Sequence, residues 1–134
     1  MRVGVPGTGM VGQAIAFSHG MPPSLAVANT DSLGERIQRG FPAARVVKAL
    51  NTVTARLMVS PRELGAGDHT VFVCGDDPEA KALVTGLLTD GFGWRDVLDL
   101  GDISAARGTE SYLLFWLRAW GAMGTGDFNI HLVR

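Results

Sequence analysis

The residues best placed to do chemistry come first in the chain, and they are glycines. Gly7-Thr8-Gly9-Met10-Val11-Gly12 has the spacing G-x-G-x-x-G. In this pattern Gly7 allows a tight turn, Gly9 lets the backbone approach a pyrophosphate, and Gly12 lets a helix pack closely on a strand. The N–H groups at the helix start, with the helix dipole behind them, would then receive the phosphates. The motif is short. Its setting between an expected strand and an expected helix favours dinucleotide binding over a purely structural glycine turn. Such a fingerprint also asks for an acid about 20 residues further on, to hold a ribose hydroxyl. Asp31 stands at that distance, but Ser32 and Glu35 already explain the local chemistry as a helix cap, and that reading is favoured.

Asn51 and Thr52 form a second candidate. They follow the expected strand Arg45–Leu50, and α/β sheets bind ligands beyond the carboxyl ends of their strands. A polar pair closing a strand is equally compatible with a plain turn. The histidines His19, His69 and His131 are scattered through the chain and read as structural or solvated. Cys74 lies late in an apolar strand and reads as a buried, inert thiol. Asp76 and Asp77 read as turn and cap residues. No Ser-His-Asp order and no metal-spaced cluster stands in the sequence, so neither a catalytic acid–base residue nor a metal ligand is expected.

Strands and helices must position these groups. Met1–Pro6 reads as a short opening strand, and Met10–Ser18 as a helix ended by His19-Gly20-Met21-Pro22-Pro23. Leu25–Ala28 is a brief strand candidate. Ser32 and Glu35 have capping-box spacing for a helix striped by Leu33, Ile37 and Phe41. Arg45–Leu50 predicts a strand, Thr54–Met58 a short helix, and His69–Cys74 the strongest strand. Asp77-Pro78-Glu79 starts a helix with Ala80, Leu83, Val84, Leu87 and Leu88 as its buried face. Asp96–Leu100 predicts a strand, Ser104–Met123 a long helix and Phe128–Val133 a closing strand. Strands alternating with helices predict an α/β parallel or mixed sheet.

Composition bounds the function. The chain has 134 residues, with 46% apolar and 19% charged residues, so a packed core is expected. Twelve basic residues against 13 acidic ones leave a net charge of −1. With no Lys/Arg cluster, nucleic acid and anionic membranes are poor partners. The lone Cys74 excludes an internal disulfide and fits a reducing cytoplasm. No secretory signal is read at the N-terminus, and no run approaches the ~20 apolar residues that span a bilayer.

The start Met-Arg-Val-Gly-Val-Pro-Gly-Thr-Gly-Met-Val-Gly-Gln resembles the N-terminus of the F-420-dependent NADP oxidoreductase family. The block Arg45–Val53 resembles that family's segment leading into its C-terminal unit, and the blocks His69–Asp77, Asp99–Asp102 and Ala105–Glu110 resemble the unit itself. A similar domain occurs in membrane-bound metalloreductases. The resemblance implies hydride transfer between NADPH and a deazaflavin or flavin-like acceptor, by alignment of two cofactors rather than by a protein acid or base. Gly7, Thr8, Gly9, Met10, Val11 and Gly12 would form the pyrophosphate loop, with Asn51 and Thr52 near the transferring atoms. NADP is preferred over NAD by resemblance alone, and coenzyme F-420 or a flavin is the implied second cofactor.

The chain departs from the family in two ways. Ala16-Phe17-Ser18-His19-Gly20 joins the first helix directly to Met21-Pro22-Pro23, where relatives carry several more strand–helix units. The chain is on the order of 70 residues too short for a complete doubly wound nucleotide domain plus the terminal unit. Pro6 also stands where relatives carry an aliphatic residue. The expected fold is therefore α/β: a truncated Rossmann-like unit, doubly wound with a mainly parallel sheet, fused to a small C-terminal α/β unit. Residues 1–50 would be the nucleotide-domain remnant and 51–134 the C-terminal unit of one compact domain. The alternative function is a non-catalytic remnant acting as a nucleotide-binding or dimeric interaction module.

The helix after Ser104 carries one charge, Arg118, between Tyr112 and Met123. Leu113, Trp116, Leu117 and Trp120 make its stripe, widened by Leu114, Phe115 and Ala119. A helix apolar nearly all round is either a central core helix or a subunit interface. A homo-oligomer hiding Leu113, Trp116 and Trp120 is the association expected.

Overall fold

The computed structural model describes the backbone of Ile15–Ala16 and residues 24–134. The glycine motif, the opening strand and the His19–Pro23 stop lie outside the described residues. The elements run β1 (Ile15–Ala16), β2 (Ser24–Leu25), α1 (Leu33–Gly40), β3 (Val47–Ala49), α2 (Ala55–Val59), β4 (Thr70–Gly75), α3 (Pro78–Gly86), β5 (Asp96–Asp99) and α4 (Ala106–Met123).

β4 holds the centre because its sequence, Thr-Val-Phe-Val-Cys-Gly, is apolar on both faces and is buried almost throughout. β3 pairs with it antiparallel, Lys48 opposite Cys74, and β5 pairs with its other edge in parallel, Val71 opposite Val97. The described sheet is therefore mixed, in the order β3-β4-β5. α3 makes the crossover between the parallel pair. Its start is as read: Asp77 accepts from Ala80 N at 2.8 Å, and Pro78 takes the first helical position. A core of Val53, Val71, Val73, Leu88 and Trp94 lies against the sheet.

α1 begins as its capping spacing requires. The Ser32 hydroxyl accepts from Glu35 N at 3.1 Å and donates to Glu35 Oε2 at 2.7 Å. α1 then packs on α4 through Gly34, where a Cβ would stand 3.1 Å from Ala106 Cβ. Close approach, rather than backbone freedom, is the reason for glycine at this point.

Several expectations need correction. Ile15 and Ala16 are not helical: they pair antiparallel with Leu25 and Ser24. Ile15 is β-branched and suits an extended strand at least as well as a helix. The following strand covers Ser24–Leu25 rather than Leu25–Ala28, and Asn29 turns through a positive φ of 64°. Leu83 of α3 and Leu87 just beyond it are exposed rather than buried, as is Phe41 beyond α1. Phe128–Val133 is not a strand. Ile130 O accepts from Thr70 N at 2.8 Å, but Thr70 O is taken by Asn129 Nδ2 and Leu132 N turns to Thr70 Oγ1. The side chains occupy the positions a ladder would need.

Candidate functional site

The candidate site lies where β3 leaves the sheet. β3 ends at Ala49 because Leu50 takes a left-handed backbone, φ 60°, a conformation disfavoured for a residue carrying Cβ. The chain turns off the sheet there and sets Asn51 and Thr52 beyond the strand's carboxyl end. Asn51 Nδ2 donates to Thr109 O at 2.5 Å. Thr52 is buried, and its Oγ1 has no hydrogen-bond partner among the described residues. A buried hydroxyl without a partner is uncommon in a folded protein.

The neighbour of Thr109 on α4 ties three elements together. Glu110 is buried, and its Oε2 accepts from Leu33 N at 2.7 Å while Oε1 accepts from Gly34 N at 3.0 Å. These are first-turn N–H groups of α1, at the end of the helix that favours an anion. Lys48 Nζ of β3 stands 3.2 Å from Glu110 Oε1, with both side chains largely enclosed. Both carboxylate oxygens of Glu110 are thus engaged within the fold.

Arg107, one turn before Glu110 and on the same face of α4, reaches the other carboxylate of the cluster. Its Nε and Nη2 donate to Glu35 at 2.9 and 2.5 Å. Those bonds, with that from Ser32, hold the Glu35 carboxyl below its usual range, and the same pairing raises Arg107.

The other sequence candidates stand apart from this cluster. Asp31 accepts from Arg36 and Arg39 at 2.8 and 2.9 Å, bonds that lower its carboxyl to about 2. The cap reading of Ser32 holds, and Asp31 is a surface partner of α1. His69 is buried with Nε2 on Pro61 O and Nδ1 on Asn129 Nδ2, both at 2.8 Å, and it meets Trp94 edge-on. His131 is exposed, 3.8 Å from Asp68. Burial pushes the Cys74 thiol up to about 11. No group of three potential metal ligands occurs among the described residues. The proposed pyrophosphate loop, Gly7, Thr8, Gly9, Met10, Val11 and Gly12, is outside them.

Lys48, Thr109 and Glu110 went unread as site residues. The signal was present: Lys48 interrupts an apolar strand, and Arg107 and Glu110 stand three apart on a helix start. A charge inside an apolar strand calls for a buried opposite charge.

No protein-family model matches the chain. The crystal structure of a candidate F-420-dependent NADP-reductase from Arthrobacter sp. FB24 superimposes with a TM-score of 0.87 and 56% sequence identity. The match covers 91% of this chain and 55% of that one. The family resemblance holds. The fold is accordingly α/β and Rossmann-like, as expected. The metalloreductase STEAP3 of Rattus norvegicus is 38% identical over 81 residues, which is 60% of this chain and 16% of that protein. The chain thus spans about half the length of the reductase and a small part of the metalloreductase. No helix among the described residues is long and apolar enough to cross a membrane.

Proposed function

We propose that the chain is an NADP(H)-linked oxidoreductase unit of the F-420-dependent type. The observation that carries this reading is the 56% identity, across 91% of the chain, to the Arthrobacter reductase. One structural observation bears on the cofactor: the Thr52 hydroxyl, just past the carboxyl end of β3, is buried and has no hydrogen-bond partner among the described residues. The residues present fit a dinucleotide on that ground. NADPH, when bound, supplies the hydride, to a deazaflavin or flavin acceptor. The loop Gly7–Gly12 would hold the diphosphate, Thr52 would offer its hydroxyl, and Asn51, fixed on Thr109, would shape the wall beside it. These side chains bind, orient and exclude water; none is asked to carry a proton. Titration with NADPH, followed by nicotinamide fluorescence, should saturate. Absence of binding at millimolar ligand overturns the reading.

The 55% coverage of the reductase favours a second reading, a remnant that keeps the loop and has lost its pocket. In both readings residues 1–50 are the nucleotide-domain remnant and 51–134 the terminal unit, and the chain works in the cytoplasm. Sequencing the source gene across Ser18–Gly20 separates them: intervening coding sequence there rules out the remnant.

A homo-oligomer is also proposed, on a revised surface. Leu113 is already buried within the chain, and Trp116 stacks on Phe128, whereas Phe115, Trp120 and Met123 remain exposed. Light scattering at micromolar concentration decides it, since a stable monomer excludes the assembly.

A further inference from the structure

Asn51 and Thr52 leave the sheet through Leu50, whose left-handed backbone must be held by its surroundings. Two anchors flank it, and both come from adjacent residues of α4. On one side Lys48 pairs with Glu110 at 3.2 Å. On the other Asn51 donates to Thr109 O at 2.5 Å. Glu110 is the one of the two that also reaches a third element, through Leu33 N and Gly34 N of α1.

We propose that Glu110 is a positioning residue: by joining Lys48 to the start of α1 it holds the first turns of α4 against the β3 exit, and so fixes Asn51 on Thr109. That Asn51 and Thr52 face a ligand rests on the function proposed above. The positioning itself is a property of the free chain. Three donors converge on two carboxylate oxygens, and only a carboxylate accepts from all of them. A glutamine would turn its NH2 against a backbone N–H or the ammonium. With Glu110→Gln, β3 and α1 lose their common partner, and the register of Thr109 against Asn51 loosens.

The test uses the full chain, ligand-free, with its amides labelled. The Asn51 side-chain NH2 signals are assigned by their loss in Asn51→Ala. In the wild type they should be shifted and slow to exchange. In Glu110→Gln they should move to the positions of a solvated amide and exchange about tenfold faster. Because an unpaired Lys48 could unfold that variant, Lys48→Met with Glu110→Gln is measured beside it and should release Asn51 in the same way. Unchanged Asn51 signals in either folded variant overturn the proposal. NADPH affinity supplies a readout that a merely structural role would not move. Glu110→Gln should weaken binding about tenfold in a wild-type background and hardly at all in an Asn51→Ala background. Equal losses in both backgrounds also overturn it. If the wild type binds no NADPH while the Asn51 signals respond as stated, the oxidoreductase reading fails and the positioning role stands.

Discussion

Arg107 of α4 grips Glu35 of α1 through two parallel hydrogen bonds, at 2.9 and 2.5 Å. The fork matches the carboxylate plane, a geometry lysine cannot reproduce. With Glu110 one turn on, it means that α1 is held to α4 by charges of both signs.

The acid response of the fold should follow from that pair. The Glu35 carboxyl is lowered from 4.5, first by Arg107 and then by Ser32. A depressed folded value stabilises the protein above the unfolded value and is lost as the pH falls through the folded one. Arg107→Ala should therefore cost most stability at neutral pH, with the gap to wild type closing as the pH falls from the unfolded value of 4.5 through the lowered folded one. Urea denaturation at two pH values checks this. A gap independent of pH would mean that Arg107 acts by packing alone.

Gly34→Ala should be destabilising although alanine is the better helix former. The gain in helix propensity is at most about 1 kcal/mol. Against it, the new Cβ would stand 3.1 Å from Ala106 Cβ and 3.2 Å from Ile103 Cδ1. The Ile103 methyl can turn aside, but the Ala106 methyl moves only with α4. The net loss should be about 1 kcal/mol, seen as a lower urea midpoint with an unchanged slope. A rise in the midpoint would show that α1 can slide without cost.

Cys74 should be silent in the native protein. It is buried on β4, opposite Lys48, and burial raises its thiol to about 11. The thiolate is the reactive species. A disulfide reagent at pH 8 should find no reactive thiol in the folded chain and a single one after unfolding. Fast labelling of the native state would place Cys74 at the surface.

The elements that local rules govern were legible in the sequence. Asp77-Pro78 starts α3 and Ser32 with Glu35 starts α1, because caps are made by neighbours in the chain. The β3 exit was legible only as a polar pair after a strand. That Asn51 meets Thr109, and Lys48 meets Glu110, depends on α4 folding back across a long stretch of chain, which no periodicity encodes. The closing strand failed for a related reason. Phe128–Val133 has an extended, apolar pattern, but Asn129 competes for the Thr70 carbonyl, and a side-chain bond displaced the ladder.

Thr52 offers the sharpest trade between stability and function. Its hydroxyl is buried with no partner among the described residues, and such a group costs about 1–3 kcal/mol against a satisfied one. Valine has nearly the same shape and no hydroxyl, so Thr52→Val should leave stability unchanged or raise it by about 1 kcal/mol. If the hydroxyl is kept for a dinucleotide, the same variant should bind NADPH about tenfold more weakly, while Thr52→Ser should retain most of the affinity. Thermal unfolding and the fluorescence titration, run on the same preparations, give both numbers. A less stable Thr52→Val would mean that the hydroxyl has a partner within the fold. A stable variant that binds NADPH as the wild type does would remove Thr52 from the site.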